Sequence, residues 1–234
     1  MSGVGYTPIH DEEEGLRGPP VRAQLPVDTR RVARGPAAHP VASGRAGPHP
    51  AGRVVQLSPS DASAQLPHAL APTTTESFEL PSGRTVAVPK ASPTFSAWTG
   101  PPVTDDYGGK IILDASGGPA FAELAILWSL RDAGWDGVWI DTFRQKYRTG
   151  YWGAEPVELP GDPSHLLERI YARMGARSGA WDVFCWRGPD VLFAESKRRG
   201  KDYIRASQLS FLDAALLTGL HLESFLIVEW ELES

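Results

Sequence analysis

The fold of this chain is decided by a stretch near its C-terminus, Asp182 to Lys197, which reads DVFCWRGPDVLFAESK. Two largely apolar runs, Asp182 to Trp186 and Val191 to Lys197, flank the turn-forming residues Arg-Gly-Pro-Asp, and this pattern predicts a β-hairpin. A four-residue turn at 187–190 sets the register of the two strands. The opposed pairs are then Trp186 with Val191 and Phe184 with Phe193.

The same register places two acids beside each other at the open end of the hairpin. Asp182 opposes Glu195, and directly opposed residues share a face of the sheet about 5 Å apart. Because side chains alternate between the two faces of a strand, Lys197 lies on the same face as Glu195. Paired carboxylates at this separation are the ligands that Mg²⁺ or Mn²⁺ prefers. The alternative is a strand-end salt bridge between Glu195 and Lys197.

The elements around the hairpin predict an α/β fold, a mixed sheet flanked by helices. Helices are indicated by apolar runs that end at a glycine, with Pro119 preceding the first of them. The predicted helices are Ala120 to Ala133, Ser164 to Met174 with Ser164 as N-cap, and Ser207 to Thr218. The further predicted strands are Lys110 to Leu113, Val138 to Ile140 and Phe225 to Trp230. Trp135, Trp139 and Trp186 are expected in the core.

Composition divides the chain into a tail and one domain. Residues 1–75 are rich in Pro, Gly, Ala and Ser, which predicts a disordered tail because so little apolar surface can be buried. All eight Trp and all eight Phe follow residue 77. Residues 76–109 are expected to form a short hairpin, Ser77 to Leu80 with Thr85 to Val88, and a loop. Residues 110–234 are expected to form the main domain.

Charge and cysteine usage limit the function classes. A net charge of −5 argues against a protein that coats nucleic acid by bulk electrostatics. One cysteine, Cys185, excludes an internal disulfide and a cysteine-based zinc site, and the six histidines lack metal-ligand spacing. Carboxylates must therefore hold any metal. No apolar run approaches the ~18 residues of a membrane span, and no signal-like segment opens the chain, so a cytoplasmic protein is expected.

Beyond these patterns, Asp182 followed by a strand, a turn, a strand and Glu195-x-Lys197 resembles the PD-(D/E)xK nuclease signature. The continuation resembles the virus-type replication-repair nuclease (VRR-NUC) branch, with a polar loop containing Gly200, then Gln208 at the start of a helix, Gly219 and a final strand. The resemblance covers roughly residues 110–230. It departs at one position, because Trp181 stands where the signature has proline.

The resemblance implies a restriction-endonuclease-like fold and a nuclease that cuts DNA, with structure-selective cleavage in repair or recombination as one expectation. It implies that Asp182 and Glu195, with Glu123 of the first helix and the carbonyl of Ser196, hold one or two Mg²⁺ or Mn²⁺ ions. A bound water of lowered pKa would then attack the phosphate with the assistance of Lys197, and Gln208 would position Lys197 or a phosphate. The alternatives are a helix-dipole role for Glu123 and an ordinary first-turn role for Gln208.

Two groups of cations are candidates for the nucleic-acid backbone. One group follows the motif and comprises Arg198, Arg199, Lys201 and Arg205. The other comprises Arg144, Lys146 and Arg148, with Tyr147, Tyr151 and Trp152 as candidates for stacking on unpaired bases. The alternative for both groups is that they are solvated loop cations.

One decoy arises from Pro189-Asp190, which spells the literal signature five residues before Glu195. Five strand residues would separate the carboxylates by ~16 Å on opposite faces, so Asp190 is expected to belong to the turn. Two other functions compete with the nuclease: a binding or adaptor protein that keeps the fold without turnover, and a different hydrolase or structural domain. The residues leave open DNA or RNA, branched, single-stranded or duplex substrate, endo or exo cleavage, and the oligomeric state.

Overall fold

A mixed eight-stranded sheet is the central layer of the residues that the computed structural model describes, which are 66–104, 109–116, 118–151 and 153–233. Three α-helices accompany it within those residues: α1 (Ala122–Asp132), α2 (Gly161–Met174) and α3 (Ala206–Leu217). The strands are β1 (Thr74–Glu79), β2 (Thr85–Ala91), β3 (Thr94–Phe95), β4 (Leu113–Ala115), β5 (Gly118–Ala120), β6 (Asp136–Asp141), β7 (Lys146–Arg148), β8 (Val183–Arg187), β9 (Asp190–Arg198) and β10 (Phe225–Leu232).

The order of strands across the sheet is β1-β2-β10-β9-β8-β6-β7. The strand β9 lies at the centre, where it pairs antiparallel with β8 and parallel with β10. The far strands β6 and β7 continue antiparallel from β8. The short strand β3 pairs with the end of β10, and β4 and β5 form a separate two-stranded sheet. The expected α/β arrangement, a mixed sheet with helices, is therefore present.

Alternation along β9 builds a core on each face of the sheet. Leu192 and Ala194 pack on the side of α1, whereas Phe193 packs with residues of α2 and α3. The ring of Phe193 stacks on Phe184 at a centroid distance of 4.4 Å and on Phe225 at 5.4 Å. Each such side chain contributes about 1.5–3 kcal/mol by leaving water. The sheet therefore lies between α1 on one face and α2 with α3 on the other.

The helices form close to where the sequence predicts them, with one shifted start. Helix α2 begins at Gly161, so Ser164 is not its N-cap but lies inside the first turn, where its N–H donates to the carbonyl of Pro160. Pro163 permits the earlier start because a first-turn residue needs no N–H partner. The helix ends at Gly175, whose φ of +69° favours glycine. Among the described residues, none of the helices combines the length and apolar character needed to cross a membrane.

The predicted tail boundary at residue 75 is too late. Residues 1–65 lie outside the described residues, so the expectation for that part stays a prediction. Residues 66–75, however, include a 3-10 helix, His68–Leu70, and the start of β1. Leu70 is 1% exposed and belongs to the core on the α1 side. A single buried leucine thus ties the chain to the domain just before the first strand.

The hairpin predicted near Ser77 is longer than expected and joins the main sheet. β2 extends to Ala91 and pairs in parallel with β10, through Lys90 with Ile227 and Ala91 with Val228. Local patterns could not show this, because the partner strand lies about 140 residues further along the chain. The expected strand from Lys110 is also displaced, since β4 begins only at Leu113.

The three tryptophans expected in the core are there. Trp135 and Trp139 are buried, and Trp186 is partly buried against the core on the α2 and α3 side. The indole of Trp139 donates to the carbonyl of Gly150 at 2.7 Å, and the guanidinium of Arg187 lies 4.6 Å from the ring centroid of Trp135. These rings therefore pack inside the protein and are not available to a substrate.

Candidate active site

The hairpin of β8 and β9 has the register that the sequence predicts: Trp186 pairs with Val191 and Phe184 with Phe193. The ladder also includes Arg187 and Asp190, so the loop itself is only Gly188-Pro189. The φ of +56° at Gly188 is a left-handed conformation that glycine adopts without strain. Asp190 therefore lies beside the turn, at the start of β9 and five residues before Glu195, as the sequence predicts.

Asp182 and Glu195 meet at the open end of this hairpin. Asp182 lies one residue before β8, and its backbone N–H donates to Oε2 of Glu195 at 3.2 Å. The side chain of Asp182 makes a return contact, in which Oδ2 accepts the N–H of Ser196 at 3.0 Å. Just before β8 begins, hydrogen bonds between side chains and backbone thus take the place of the backbone–backbone hydrogen bonds of the sheet. Each carboxylate is fixed by a hydrogen bond from the backbone of the opposite strand.

Glu195 is the most enclosed of the candidate acids. Its residue is 0% exposed, and its Oε1 accepts hydrogen bonds from Nζ of Lys197 at 2.6 Å and from Nε2 of Gln208 at 2.5 Å. Lys197 and Gln208 are themselves buried. Buried charge is tolerated only when it is paired and hydrogen-bonded, and both conditions are met here. The structure therefore brings together Asp182, Glu195, Lys197 and Gln208, which we call the acid–lysine cluster.

Gln208 reaches the cluster because of the way α3 starts. The backbone N–H of Arg205 donates to Oε1 of Gln208 at 2.9 Å, which leaves the amide nitrogen directed at Glu195. Nζ of Lys197 lies 3.5 Å from the same Oε1. The indole of Trp181 donates to the backbone carbonyl of Gln208 at 3.3 Å. Trp181 therefore ties α3 to the entry of β8.

The surroundings of the two acids disfavour their charged forms. Burial raises the pKa of Glu195 above its usual range, and Lys197 opposes this increase. The pKa of Asp182 is raised well above its usual value, first by burial of its carboxyl group, then by the charge of Glu195 and then by that of Glu123. Lys197 lowers that pKa only in part. Burial and repulsion therefore act together on Asp182, and the single lysine offsets them only in part.

Glu123 lies near enough to act on Asp182 electrostatically, but it has another partner. It stands in the first turn of α1, and its Oε1 lies 2.5 Å from Nζ of Lys110. Within the described ranges, no three side chains of His, Cys, Asp or Glu are grouped so that they could hold a metal ion together. The expected trio of Glu123, Asp182 and Glu195 is therefore not assembled here. Sequence reasoning missed Lys110, because nothing local links it to a helix thirteen residues away.

The donor atoms around Asp182 nevertheless fit a divalent cation. In an antiparallel strand, the N–H and C=O of one residue point toward the same neighbour. Because the N–H of Ser196 points to Asp182, beyond the start of β8, its carbonyl is directed to the same edge. Two carboxylates and one carbonyl then lie at the same strand end, and hard oxygen donors of this kind suit Mg²⁺ or Mn²⁺. The repulsion between Asp182 and the charges of Glu195 and Glu123 supports the same fit, because a bound cation would offset it.

Comparison of the chain with protein-family models, with curated proteins and with solved structures finds no match. The function of the cluster is therefore inferred from its own geometry and electrostatics.

Two of the basic residues that follow the motif are already engaged within the protein. Arg199 forms ion pairs with Glu229 at 3.4 Å and Glu231 at 2.7 Å, both on β10. The guanidinium of Arg198 lies 5.9 Å from the ring centroid of Trp230. Binding a phosphate through Arg199 would compete with two carboxylates. Lys201 and Arg205, in contrast, are exposed and stay candidates for the nucleic-acid backbone.

In the second basic group, two of the three cations pair with a buried aspartate, Asp141, which sequence analysis did not identify. Asp141 ends β6, and its side chain is 0% exposed. Arg148 is buried and pairs with Asp141 at 3.4 Å, so it cannot contact nucleic acid and is removed from the predicted surface. Arg144 is more exposed but also pairs with Asp141, at 3.3 Å. Lys146 is exposed and keeps its predicted place.

Of the aromatic residues predicted to stack on bases, the two that the structure describes are partly buried. Tyr147 is partly buried against the core on the α2 side. Tyr151 packs edge-on to Phe121 and Trp128 in the core on the α1 side, and its hydroxyl donates to the carbonyl of Pro119. Trp152 lies outside the described residues.

Proposed function

We propose that this protein is a metal-dependent nuclease that hydrolyses phosphodiester bonds, most simply in DNA, at the acid–lysine cluster. One observation carries the proposal: Asp182 and Glu195 are hydrogen-bonded to each other at a strand end, with Lys197 and Gln208 on the same carboxylate. Four side chains, from a coil, a strand and a helix, meet at this place. A salt bridge with a purely structural role would need only two of them. Perturbed acids in such a group are typical of functional sites.

The elements that carry the cluster support a restriction-endonuclease-like fold of the VRR-NUC type. The hairpin β8–β9 supplies Glu195 and Lys197, and Asp182 lies one residue before its first strand. Helix α3 begins at Ala206, two residues before Gln208. Gly219 and the parallel strand β10 follow, as the resemblance requires. Helix α1 carries Glu123 in its first turn. The order of elements and the placement of the motif therefore agree with one another.

Asp182, Glu195 and the carbonyl of Ser196 would hold the Mg²⁺ or Mn²⁺ ion, and Glu123 would act through water or after release from Lys110. When bound, the ion supplies a water of lowered pKa and positive charge beside the scissile phosphate. Its own charge would also oppose the burial and the repulsion from Glu195 and Glu123 that raise the pKa of Asp182.

Lys197 and Gln208 would act on the water and on the phosphate. The amino group of Lys197 is held at a fixed place by Glu195. As the neutral amine it can accept a proton from the attacking water, and as the ammonium it can orient that water or stabilise negative charge on the phosphate oxygens. Gln208 holds Glu195 from the other side and lies 3.5 Å from Lys197. Preorganised groups of this kind cost little reorganisation when the substrate arrives.

A second candidate is an adaptor that binds nucleic acid without cutting it. The complete burial of Glu195 favours this candidate, since its carboxylate already accepts three hydrogen bonds and needs no metal to be satisfied. The exposed cations Lys146, Lys201 and Arg205 would serve either function.

The deciding experiment is cleavage of single-stranded, duplex and branched DNA and RNA by the purified protein in Mg²⁺, Mn²⁺ or EDTA. Metal-dependent products that disappear in EDTA support the nuclease. Binding without products in any metal supports the adaptor. Neither binding nor cleavage, together with no Mg²⁺ or Mn²⁺ uptake in calorimetry, would contradict both.

A further inference from the structure

Two aromatic side chains stand almost fully in solvent on either side of the acid–lysine cluster. Among the described residues, the exposed large apolar side chains are Phe143 at 88%, Tyr203 at 78% and Leu217 at 45%. Single exposed apolar residues are common on protein surfaces. Here, however, the two most exposed are both aromatic, and both belong to loops that enter the same end of the sheet as the cluster.

Phe143 is placed near Asp182 by the course of β6. The N–H of Ile140 donates to the carbonyl of Asp182 at 2.7 Å. Phe143 follows Ile140 by three residues, so its backbone lies within about 10 Å of that contact. The turn is held by buried Asp141, whose Oδ1 accepts the N–H of Arg144 at 3.1 Å. The ring therefore extends from an anchored turn.

Tyr203 is placed on the other side by the loop between β9 and α3. Before it, Oδ2 of Asp202 accepts the N–H of Arg198 at 3.0 Å. After it, the N–H of Arg205 donates to Gln208 of the cluster at 2.9 Å. The backbone is thus tied on both sides, while the phenol ring faces water. An anchored but exposed ring loses little conformational freedom when it binds a flat partner.

Basic groups accompany both rings. Lys146 follows the turn of Phe143, and Lys201 and Arg205 flank Tyr203 in sequence; all three are exposed. A flat apolar face with cations beside it matches the chemistry of a nucleotide, in which a base adjoins a phosphate. An apolar protein partner would not require the cations. The observations thus favour nucleic acid as the occupant.

We propose that Phe143 and Tyr203 are stacking platforms for unpaired bases on the two sides of the scissile phosphate, which makes the substrate a single strand or a duplex with unpaired bases at the cut. The proposal rests on the proposed nuclease function. Each base in a continuous duplex is covered by its neighbours on both faces, and its extrusion costs free energy. The exposed rings of Phe143 and Tyr203 can therefore stack on a base only in a single strand or where a duplex is interrupted.

The test is fluorescence anisotropy with a short labelled single strand of mixed sequence and with a closed dumbbell duplex, in Ca²⁺ and in EDTA, so that binding is measured apart from cleavage. Phe143→Ala and Tyr203→Ala are each expected to weaken single-strand binding by about five- to a hundredfold. Dumbbell binding should change by less than about twofold, because backbone contacts dominate there. Phe143→Trp should retain single-strand affinity, and Phe143→Leu, which is apolar but cannot stack, should lose it.

Leu217→Ala is the matched control. Leu217 is also exposed but lies nine residues beyond Gln208 along α3, about 14 Å away, so its substitution should leave both affinities unchanged. The proposal is overturned if the alanine variants bind the single strand like the wild type, if Phe143→Leu does so, or if the wild type binds no single strand. If the wild type cleaves but the variants bind like the wild type, the stacking platforms are ruled out and the nuclease function is retained. If the variants bind more weakly but the wild type does not cleave, the rings bind bases and the nuclease function is ruled out.

Discussion

The backbone N–H of Asp182 donates a hydrogen bond to Oε2 of Glu195 at 3.2 Å, although twelve residues separate them in the chain. The hairpin register creates this contact, and the contact identifies which aspartate belongs to the cluster. Asp190 is nearer in sequence, but it pairs with Arg187 at the turn. Substitutions of the two aspartates are therefore predicted to have different effects.

Asp182→Asn should abolish metal-dependent cleavage while the fold is kept, because asparagine removes a charged oxygen donor at the proposed metal position. Asp190→Asn, the matched control, should cleave nearly like the wild type. Both variants are assayed for cleavage in Mg²⁺ and for folding by circular dichroism. A reversal of the two phenotypes would show that the cluster is not the catalytic site.

Lys197→Ala should reduce cleavage by about a hundredfold or more and leave metal uptake in place, since general-base and charge-stabilising groups contribute on that scale. Arg84→Ala is the control, because Arg84 is an exposed cation in the turn between β1 and β2, outside the proposed site. Single-turnover rates and calorimetry on folded protein make the comparison. Wild-type rates for Lys197→Ala would mean that the amine only pairs with Glu195.

Asp182→Asn should also raise the melting temperature in EDTA. Burial and the charges of Glu195 and Glu123 raise the pKa of Asp182, so the folded state holds its proton more tightly than the unfolded chain. A raised pKa stabilises the fold below the unfolded pKa of about 3.9, and this contribution is lost as the pH rises through the folded value. The difference in melting temperature between Asp182→Asn and the wild type should thus be absent near pH 4 and increase toward neutral pH. Thermal melts across that range test it, and a variant that melts below the wild type at neutral pH would contradict it.

Added Mg²⁺ should stabilise the wild type and leave Asp182→Asn nearly unchanged, because binding to the folded state alone raises stability by mass action. Thermal melts with and without EDTA after the addition of Mg²⁺ measure the shift. An equal shift in both proteins would place the cation elsewhere.

A chain that begins at Leu66 should melt like the full-length protein, whereas one that begins at Glu76 should be destabilised by several kcal/mol. The difference is that the shorter chain loses Leu70, which is 1% exposed, and the first residues of β1. Removal of a buried leucine side chain alone costs about 2–5 kcal/mol. Urea unfolding of the two truncations decides the point, and equal midpoints would mean that the domain begins later than Leu70.

Much of the site could be read from the sequence because it depends on local rules. Alternation in two short apolar runs set the hairpin register, and with it the pairing of Asp182 with Glu195 and the shared face of Glu195 and Lys197. The start of a helix at a fixed distance beyond the motif placed Gln208. Each of these relationships spans fewer than thirty residues, over which the chain has few alternative paths.

What the sequence could not supply were the contacts between distant elements. Lys110 occupies Glu123, and Asp141 draws Arg148 into the interior; neither contact follows from a period or a motif, since each depends on how separate segments pack. The same packing decides exposure. Tyr147 and Tyr151 are partly buried, whereas Phe143 and Tyr203 are almost fully exposed, and no local pattern in the chain separates the two pairs. Local patterning therefore determined the strands, helices and spacing of the acids, whereas burial, which requires a second surface, was decided only by the tertiary structure.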